Sequence, residues 1–397
     1  MGSTPESRTR ISIPRSRTND YTHEMAAMRR GFVLESTGVD LSHVAQYSFD
    51  PSILPGNIEN FVGVAQVPIG IAGPLRINGE FADGDFYIPL ATTEGTLISS
   101  YNRGMRILTE SGGVRTTVVQ DAMQRAPAFL LGNARLAREF GHWVEEHTDD
   151  IRREAESTTN VGRLIKIEQF AVGPVRYLRF NYTTGDAAGQ NMTGKATYAA
   201  CEWIRAKCPF RTTYYLSGNV DTDKKHSQLN MLLTRGKRVV AEAVIPRELL
   251  RGYLHIDTED ICHVREVQIA GAFLAGSSST GAHAANGLAA LFIATGQDVA
   301  NIAESHTSLT YTQALENGDF YWSITLPSLI VATFGGGTGL ATQRQCLEML
   351  GSYGRGKVKK LAEICAAVVL AGEISLVGAI LHGDWVSAHE RLGRNRT

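Results

Sequence analysis

The chain has 397 residues, 43% of them apolar and 20% charged, a balance that excludes extensive disorder and requires two or three packed units rather than one core. Lysine plus arginine (39) nearly cancels aspartate plus glutamate (40), so no global field favours nucleic acid or an anionic membrane, and an anionic ligand must be held by a local cluster. Five scattered cysteines, without a CxxC pair or histidines at zinc spacing, argue against a disulfide framework or a metal site and suit reduced thiols in the cytoplasm.

Residues 1–20 are rich in Ser, Thr and Arg without apolar periodicity; they are expected to form a flexible tail, with no apolar stretch to make a secretory signal. In residues 21–41 the spacing of Met25, Met28, Phe32 and Val33 predicts a short helix within a small helical unit. Pro and Gly break residues 64–76 into strands and turns, 86–90 reads as a strand, and a helix is expected over 94–109. Helical spacing over 128–155, alternation over 164–170 and 175–182, and a helix over 191–207 suggest a compact α+β unit inserted into a larger one, closed by the loop 217–225. Beyond it, 282–294 and 359–381 read as Ala-rich buried helices and 320–332 as a strand entering a glycine turn. The most apolar stretch, 364–381, holds Glu373 and two glycines and fits a buried helix better than a membrane span.

Chemistry concentrates at a few places. Lys224 and Lys225 follow Thr222 and Asp223 in a loop that also holds Ser217, Gly218 and Asn219; such a loop suits an anion or a developing oxyanion, although a solvated turn has the same composition. Glu94, at a strand-to-helix junction, is either a proton donor raised by apolar neighbours or a helix-start charge. Asp298 is either the partner of a buried lysine or a helix-end charge. His389, behind Trp385 and Val386, has the chemistry to protonate a thiolate near neutral pH, but ten other histidines are present and His283 reads equally as a core histidine. The glycine-rich runs 185–191 and 335–338 let backbone N–H groups approach a phosphate or nicotinamide, and neither is a GxGxxG or Walker A sequence.

Taken in order, Glu59-Asn60, residues 68–74, the PLATTEG run at 89–95, residues 185–192, 217–225, 296–301 and 335–338, and the terminal histidine resemble the 3-hydroxy-3-methylglutaryl-coenzyme A reductase family, over residues 57–396, in the class shared by eukaryotes and some bacteria. The resemblance implies an α+β fold: a small helical N-terminal unit, a large domain around a long central helix, and an inserted ferredoxin-like domain. With the periodicity above, it divides the chain into a tail (1–20), the helical unit (21–62), a large substrate domain (63–126 and 226–397), a small cofactor domain (127–214) and a catalytic loop (215–225).

The implied reaction is a four-electron reduction of a coenzyme A thioester through a hemithioacetal and an aldehyde. In it Lys224 polarises both oxygens, Glu94 donates a proton, Asp298 couples to both and His389 protonates the leaving thiolate. Arg125, Ser217, Asp223, Lys225 and Asn286 are implied to hold the acyl part. Thr159, Asn160, Asp186, Ala187, Ala188, Gly189, Gln190, Asn191, Gly335, Gly336 and Arg394 are implied to hold NADPH, with NADH as the second choice because Asn160 stands where an arginine would grip the 2′-phosphate. At least a homodimer with sites between subunits is implied, cytoplasmic and without the family's membrane anchor. Two departures stand out: His226-Ser227-Gln228 replaces Pro-Ala-Ala after Lys225, and Ala188 and Gln190 replace methionines. A paralogue acting on another acyl thioester, or a noncatalytic binding protein on the same fold, is the competing expectation.

Overall fold

A helix that is apolar all round belongs inside a protein, and the helix Val358–His382 is buried continuously over residues 361–375. It is long and apolar enough to cross a membrane by composition, yet it lies inside the protein in this computed structural model, which describes residues 12–382. Its two acids serve as backbone acceptors. Glu363 accepts the amide N–H groups of Glu80 (3.2 Å), Phe81 (2.9 Å) and Ala82 (2.7 Å), and Glu373 accepts those of Ala282 (2.8 Å) and His283 (2.7 Å) at the start of the helix Ala284–Thr295. Burial raises the pKa of both carboxyls, and these amides offset it.

The helix Leu97–Glu110 crosses the central helix at Gly104, where a Cβ would lie 1.8 Å from the Ala371 carbonyl oxygen. Only a glycine permits that approach. Gly104→Ala is therefore expected to destabilise the protein by about 2–3 kcal/mol, read as a lower urea midpoint with unchanged slope. An unaltered midpoint would show that the two helices separate at little cost.

Sheet pairing converges on β3 (Val114–Arg125). The hairpin of β1 (Ile69–Gly79) and β2 (Asp83–Ala91) joins it in parallel through β1, and β8 (Gly236–Ile245) pairs antiparallel on the other side. Next come β10 (Phe320–Leu329) and β9 (Leu309–Ala314). The last residues of β3, Met123–Arg125, pair instead with β6 (Val175–Thr183). Around β6 lie β5 (Arg163–Val172), β4 (Ala128–Leu130) and β7 (Thr213–Tyr215), in the order β7-β4-β6-β5. With the helices Ala134–Glu146, Thr148–Glu156 and Gln190–Lys207 the segment runs β-α-α-β-β-α-β, a β-α-β-β-α-β plan with two helices in its first crossover, and has its own core around Phe129, Phe140, Phe180 and Ile204.

The described structure departs from the expected elements in several places. Helix was expected throughout 128–155, but β4 comes first, and Asn133 then starts a helix by accepting the Leu136 N–H. The helix expected from Glu94 begins at Leu97. Strands β3 and β8 and the helix Thr258–Leu274 were not anticipated. Residues 12–20, placed in a flexible tail, are tied down: Asp20 pairs with the buried Arg29 of the helix His23–Thr37, and Arg15 donates to Asn60 (2.9 Å).

Candidate active site

The loop that follows β7, residues 216–227, leaves regular structure and holds three non-glycine residues in the left-handed region: Asn219 (φ 71°), Thr222 (φ 55°) and Lys224 (φ 55°). Such backbone persists only where surrounding contacts over-determine it. Here the contacts come from Arg235, fully buried, which donates to the carbonyls of Gln124 (2.9 Å) and Asp221 (3.2 Å), to Asp223 Oδ1 (2.6 Å) and to Glu304 Oε1 (3.1 Å). Arg125 pairs with Asp221 at 3.0 Å. Burial pushes the Asp223 carboxyl up, but Arg235, Gln190 and Arg125 together hold it below the usual carboxylate range.

The next residue, Lys224, carries an accessible cation. Lys224 Nζ lies 2.8 Å from Asp298 Oδ2, with the two side chains 43% and 44% exposed, so the pair is open to a ligand. Its hydrogen bond to Asp298 raises the lysine above its ordinary pKa, which keeps it charged throughout the neutral range. Asp298 itself caps a short turn through Ala300 N (3.1 Å), which fixes its orientation.

Lys224, Asp298, Asp223 and Arg125 line a cavity of about 660 Å³ together with Ala187, Ala188, Gly189, Gln190, Asn191, Gly335 and Gly336. Gln190 spans its wall, donating to Asp223 Oδ1 (3.1 Å) and Asn301 Oδ1 (2.8 Å). Gly335 and Gly336 have positive φ (82° and 58°), and a Cβ on either would meet no atom of the described residues within 4 Å, so among these residues their backbone borders open space. Seven of the expected cofactor contacts thus line the same cavity as the lysine.

Other expected site residues lie elsewhere. Asp186 does not line the cavity; its carboxylate accepts the N–H groups of Gly356, Lys357 and Val358 and caps the central helix, so it anchors the 185–191 loop. Thr159 closes a turn by accepting from Val161 and Gly162, and exposed Asn160 is its neighbour. That turn packs on the cofactor-side loop, since a Cβ on Gly162 would touch Met192 and one on Gly185 would touch Val161. Ser217 and Lys225 are exposed on the loop, with Lys225 Nζ donating to the Asp223 carbonyl (3.0 Å).

Glu94 and Asn286 form no part of the cavity within one chain. Glu94 is exposed rather than enclosed by apolar neighbours. Asn286 faces His283 Nδ1 (3.0 Å), and that ring, stacked on Tyr101, is held neutral because burial lowers its pKa to about 4. His283 is the core histidine of the two readings. His389 and Arg394 lie outside the described residues. Arg235 and Glu304 were not singled out from sequence, where each is an isolated charged residue with no motif; Asn301 ends the 296–301 run but was given no role of its own. The departure at His226 reaches neighbouring loops, through Thr307 Oγ1 (2.7 Å) and Ser278 Oγ (2.5 Å).

The sequence profile of the hydroxymethylglutaryl-coenzyme A reductase family matches residues 25–394. The chain belongs to this family. The 3-hydroxy-3-methylglutaryl-coenzyme A reductase of Pyrococcus horikoshii is 46% identical over 92% of this chain and 91% of its own, and that of Methanocaldococcus jannaschii is 43% identical over 92% of each. Among solved structures, the class II reductase of Streptococcus pneumoniae bound to NADPH superposes with a TM-score of 0.68, covering 83% of this chain and 79% of that one at 20% identity. That likeness establishes the mixed α+β reductase fold. The Lys224–Asp298 pair lies within the segment matched to the family.

Proposed function

We infer that this reductase carries out the nicotinamide-dependent four-electron reduction of (S)-3-hydroxy-3-methylglutaryl-coenzyme A to mevalonate and free coenzyme A. The observation that carries this reading is the accessible Lys224–Asp298 pair at 2.8 Å on the wall of a glycine-bordered cavity, in a chain of this family. A thioester or aldehyde oxygen becomes negative as hydride arrives, and Lys224 supplies the permanent cation for both. Asp298 aims that lysine, Glu94 supplies a proton, and His389 protonates the departing thiolate. Arg125, Ser217, Asp223, Lys225 and Asn286 hold the acyl group. Incubation with the thioester and each reduced nicotinamide should yield mevalonate with two cofactors oxidised per product; release of a different alcohol would identify another acyl substrate.

The cofactor supplies hydride when bound, and NADPH is the first choice, as in the Streptococcus pneumoniae neighbour. The open backbone at Gly335 and Gly336, beside Ala187 to Asn191, fits a planar ring and a pyrophosphate. We place the 2′-phosphate near Thr159 and Asn160, with Arg394 as a further contact. There Arg152 is engaged by Asp149 and the Leu164 carbonyl, while Arg163, more than half exposed, donates to the Gly162 carbonyl (3.0 Å) and lies 3.9 Å from Glu156. Asn160→Arg should raise kcat/KM for NADPH about tenfold relative to NADH. A wild type that already prefers NADPH a thousandfold, with no change on substitution, would place the phosphate elsewhere.

The segment 127–214 serves as the cofactor domain and the rest of the chain beyond 63 as the substrate domain, with 215–225 between them. The working form is at least a homodimer in the cytoplasm, where the five unpaired cysteines stay reduced. Two features support the dimer: Glu94 and Asn286 are apart from the Lys224 cavity in one chain, and the helix Thr258–Leu274 exposes Val267, Ile269, Phe273 (87%) and Leu274 (89%).

A further inference from the structure

Glu304 is a carboxylate that the reaction above does not use. It sits on the turn Ile302–Ser305, 1% exposed, with Oε1 taking Arg235 Nε at 3.1 Å and Oε2 buried without a hydrogen-bond partner among the described residues. The charged groups around it belong to the site itself. Arg235, on the approach to β8, binds Glu304 through one nitrogen and Asp223 through another. From the catalytic loop, Asp223 opposes its ionisation and the Lys224 backbone amide favours it. His306, two residues on, turns Nδ1 toward the Ile302 carbonyl (2.7 Å).

We propose that Glu304 is a positioning residue whose ionisation, transmitted through Arg235, holds Asp223 and Lys224 in their working arrangement. The proposal rests on the reading of Lys224 as the oxyanion cation. Arg235 is fully buried and has two carboxylates to balance its charge. With Glu304 ionised, Arg235 is shared, and the negative charge of Glu304 adds to the field that keeps Lys224 protonated. With Glu304 protonated, its bond to Arg235 loses charge assistance and roughly half its strength, and Arg235 draws on Asp223 alone. The loop bearing Lys224 in left-handed backbone then loses one of its restraints. Burial pushes the Glu304 carboxyl up to about 7 against the lowering effect of Arg235, so the two states interchange in the physiological range. Activity is carried by the ionised form and falls as pH drops through that value.

Reduction of the free aldehyde isolates this effect, because no thiolate leaves and His389 is not called upon. For wild type, kcat for the aldehyde should fall about tenfold on acidification from about pH 8.5 to 5.5. Glu304→Gln keeps the shape and cannot ionise; its profile should lose that limb and stay at the low plateau across the whole pH range. Glu304→Asp should restore a pH limb at shifted pH. The wild-type carboxyl is also read without turnover, by 13C NMR of labelled glutamate, assigned by the signal lost in either variant. A Glu304→Gln enzyme that keeps the neutral limb, or a Glu304 signal titrating below about 5, in the ordinary carboxylate range, overturns the proposal. A wild type that reduces neither substrate would instead refute the reading of Lys224, and the NMR titration would still judge Glu304.

Discussion

Lys224→Ala is expected to lower kcat/KM for both the thioester and the free aldehyde by about a hundredfold or more, with the fold intact. The two losses should be alike because, in the proposed mechanism, one cation faces both developing oxyanions. Stability should change little: the Lys224–Asp298 pair is 43% and 44% exposed, and half-exposed ion pairs contribute at most about 1 kcal/mol. The left-handed backbone at Lys224 is no harder for alanine than for lysine, since neither is β-branched. The loop stays anchored by Arg235 on Asp223 and the Asp221 carbonyl, and by Thr222 Oγ1 on Asn230 (2.6 Å). Binding of the thioester, followed by calorimetry, should weaken far less than turnover. Near-normal reduction of either substrate by the folded variant would remove Lys224 from the mechanism.

How far the sequence discloses this arrangement depends on whether a feature is local. The central helix was legible because an unbroken apolar run with a lone acid has few other destinations, and Val358–His382 lies within one residue of the expected limits at each end. Alternation disclosed β5 and β6 in the same way. Strand β3 was not legible, because it serves two sheets in turn and pairs with β1, β8 and β6, so its side chains follow no single period. The helix Thr258–Leu274 was hidden for another reason: its exposed positions mix Glu259, His263 and Glu266 with Val267, Ile269, Phe273 and Leu274, so apolar and polar residues do not separate onto two faces.

The same division applies to the site. Asp223 and Lys224 are neighbours in sequence, and a loop of cations and small residues invites attention. That Asp298 meets Lys224 is a tertiary fact that periodicity does not contain; the resemblance to the reductase family implied it, and the 2.8 Å pair accords with it. Arg235 and Glu304 escaped notice because their importance comes from burial, which single charged residues do not advertise. Asp186 shows the converse. It stands in a motif associated with the cofactor, yet its carboxylate is committed to the central helix N-terminus, so a motif residue can act by fixing the loop that others use.

If the site is completed by a second subunit, two inactive chains should restore each other. Glu94→Gln removes the proton donor but keeps Lys224, and Lys224→Ala does the reverse. Each homodimer should retain about a hundredth of wild-type turnover or less, because every site lacks one group. Coexpression with separable tags yields mixed dimers, in which one site pairs the intact Glu94 of one chain with the intact Lys224 of the other, while the second site lacks both. With random pairing half the dimers are mixed, so activity should rise to about a quarter of wild type, and the purified mixed dimer should approach about half. That recovery is large against the parents. It also depends on geometry: in one chain Glu94 is exposed and absent from the cavity that holds Lys224, Asp298 and Asp223, and the apolar residues of Thr258–Leu274 offer a face for the partner. Were each site to lie wholly within one chain, the mixed dimer would hold one site without Glu94 and one without Lys224. Its turnover would then stay at the level of the parents, and the shared-site reading would fall.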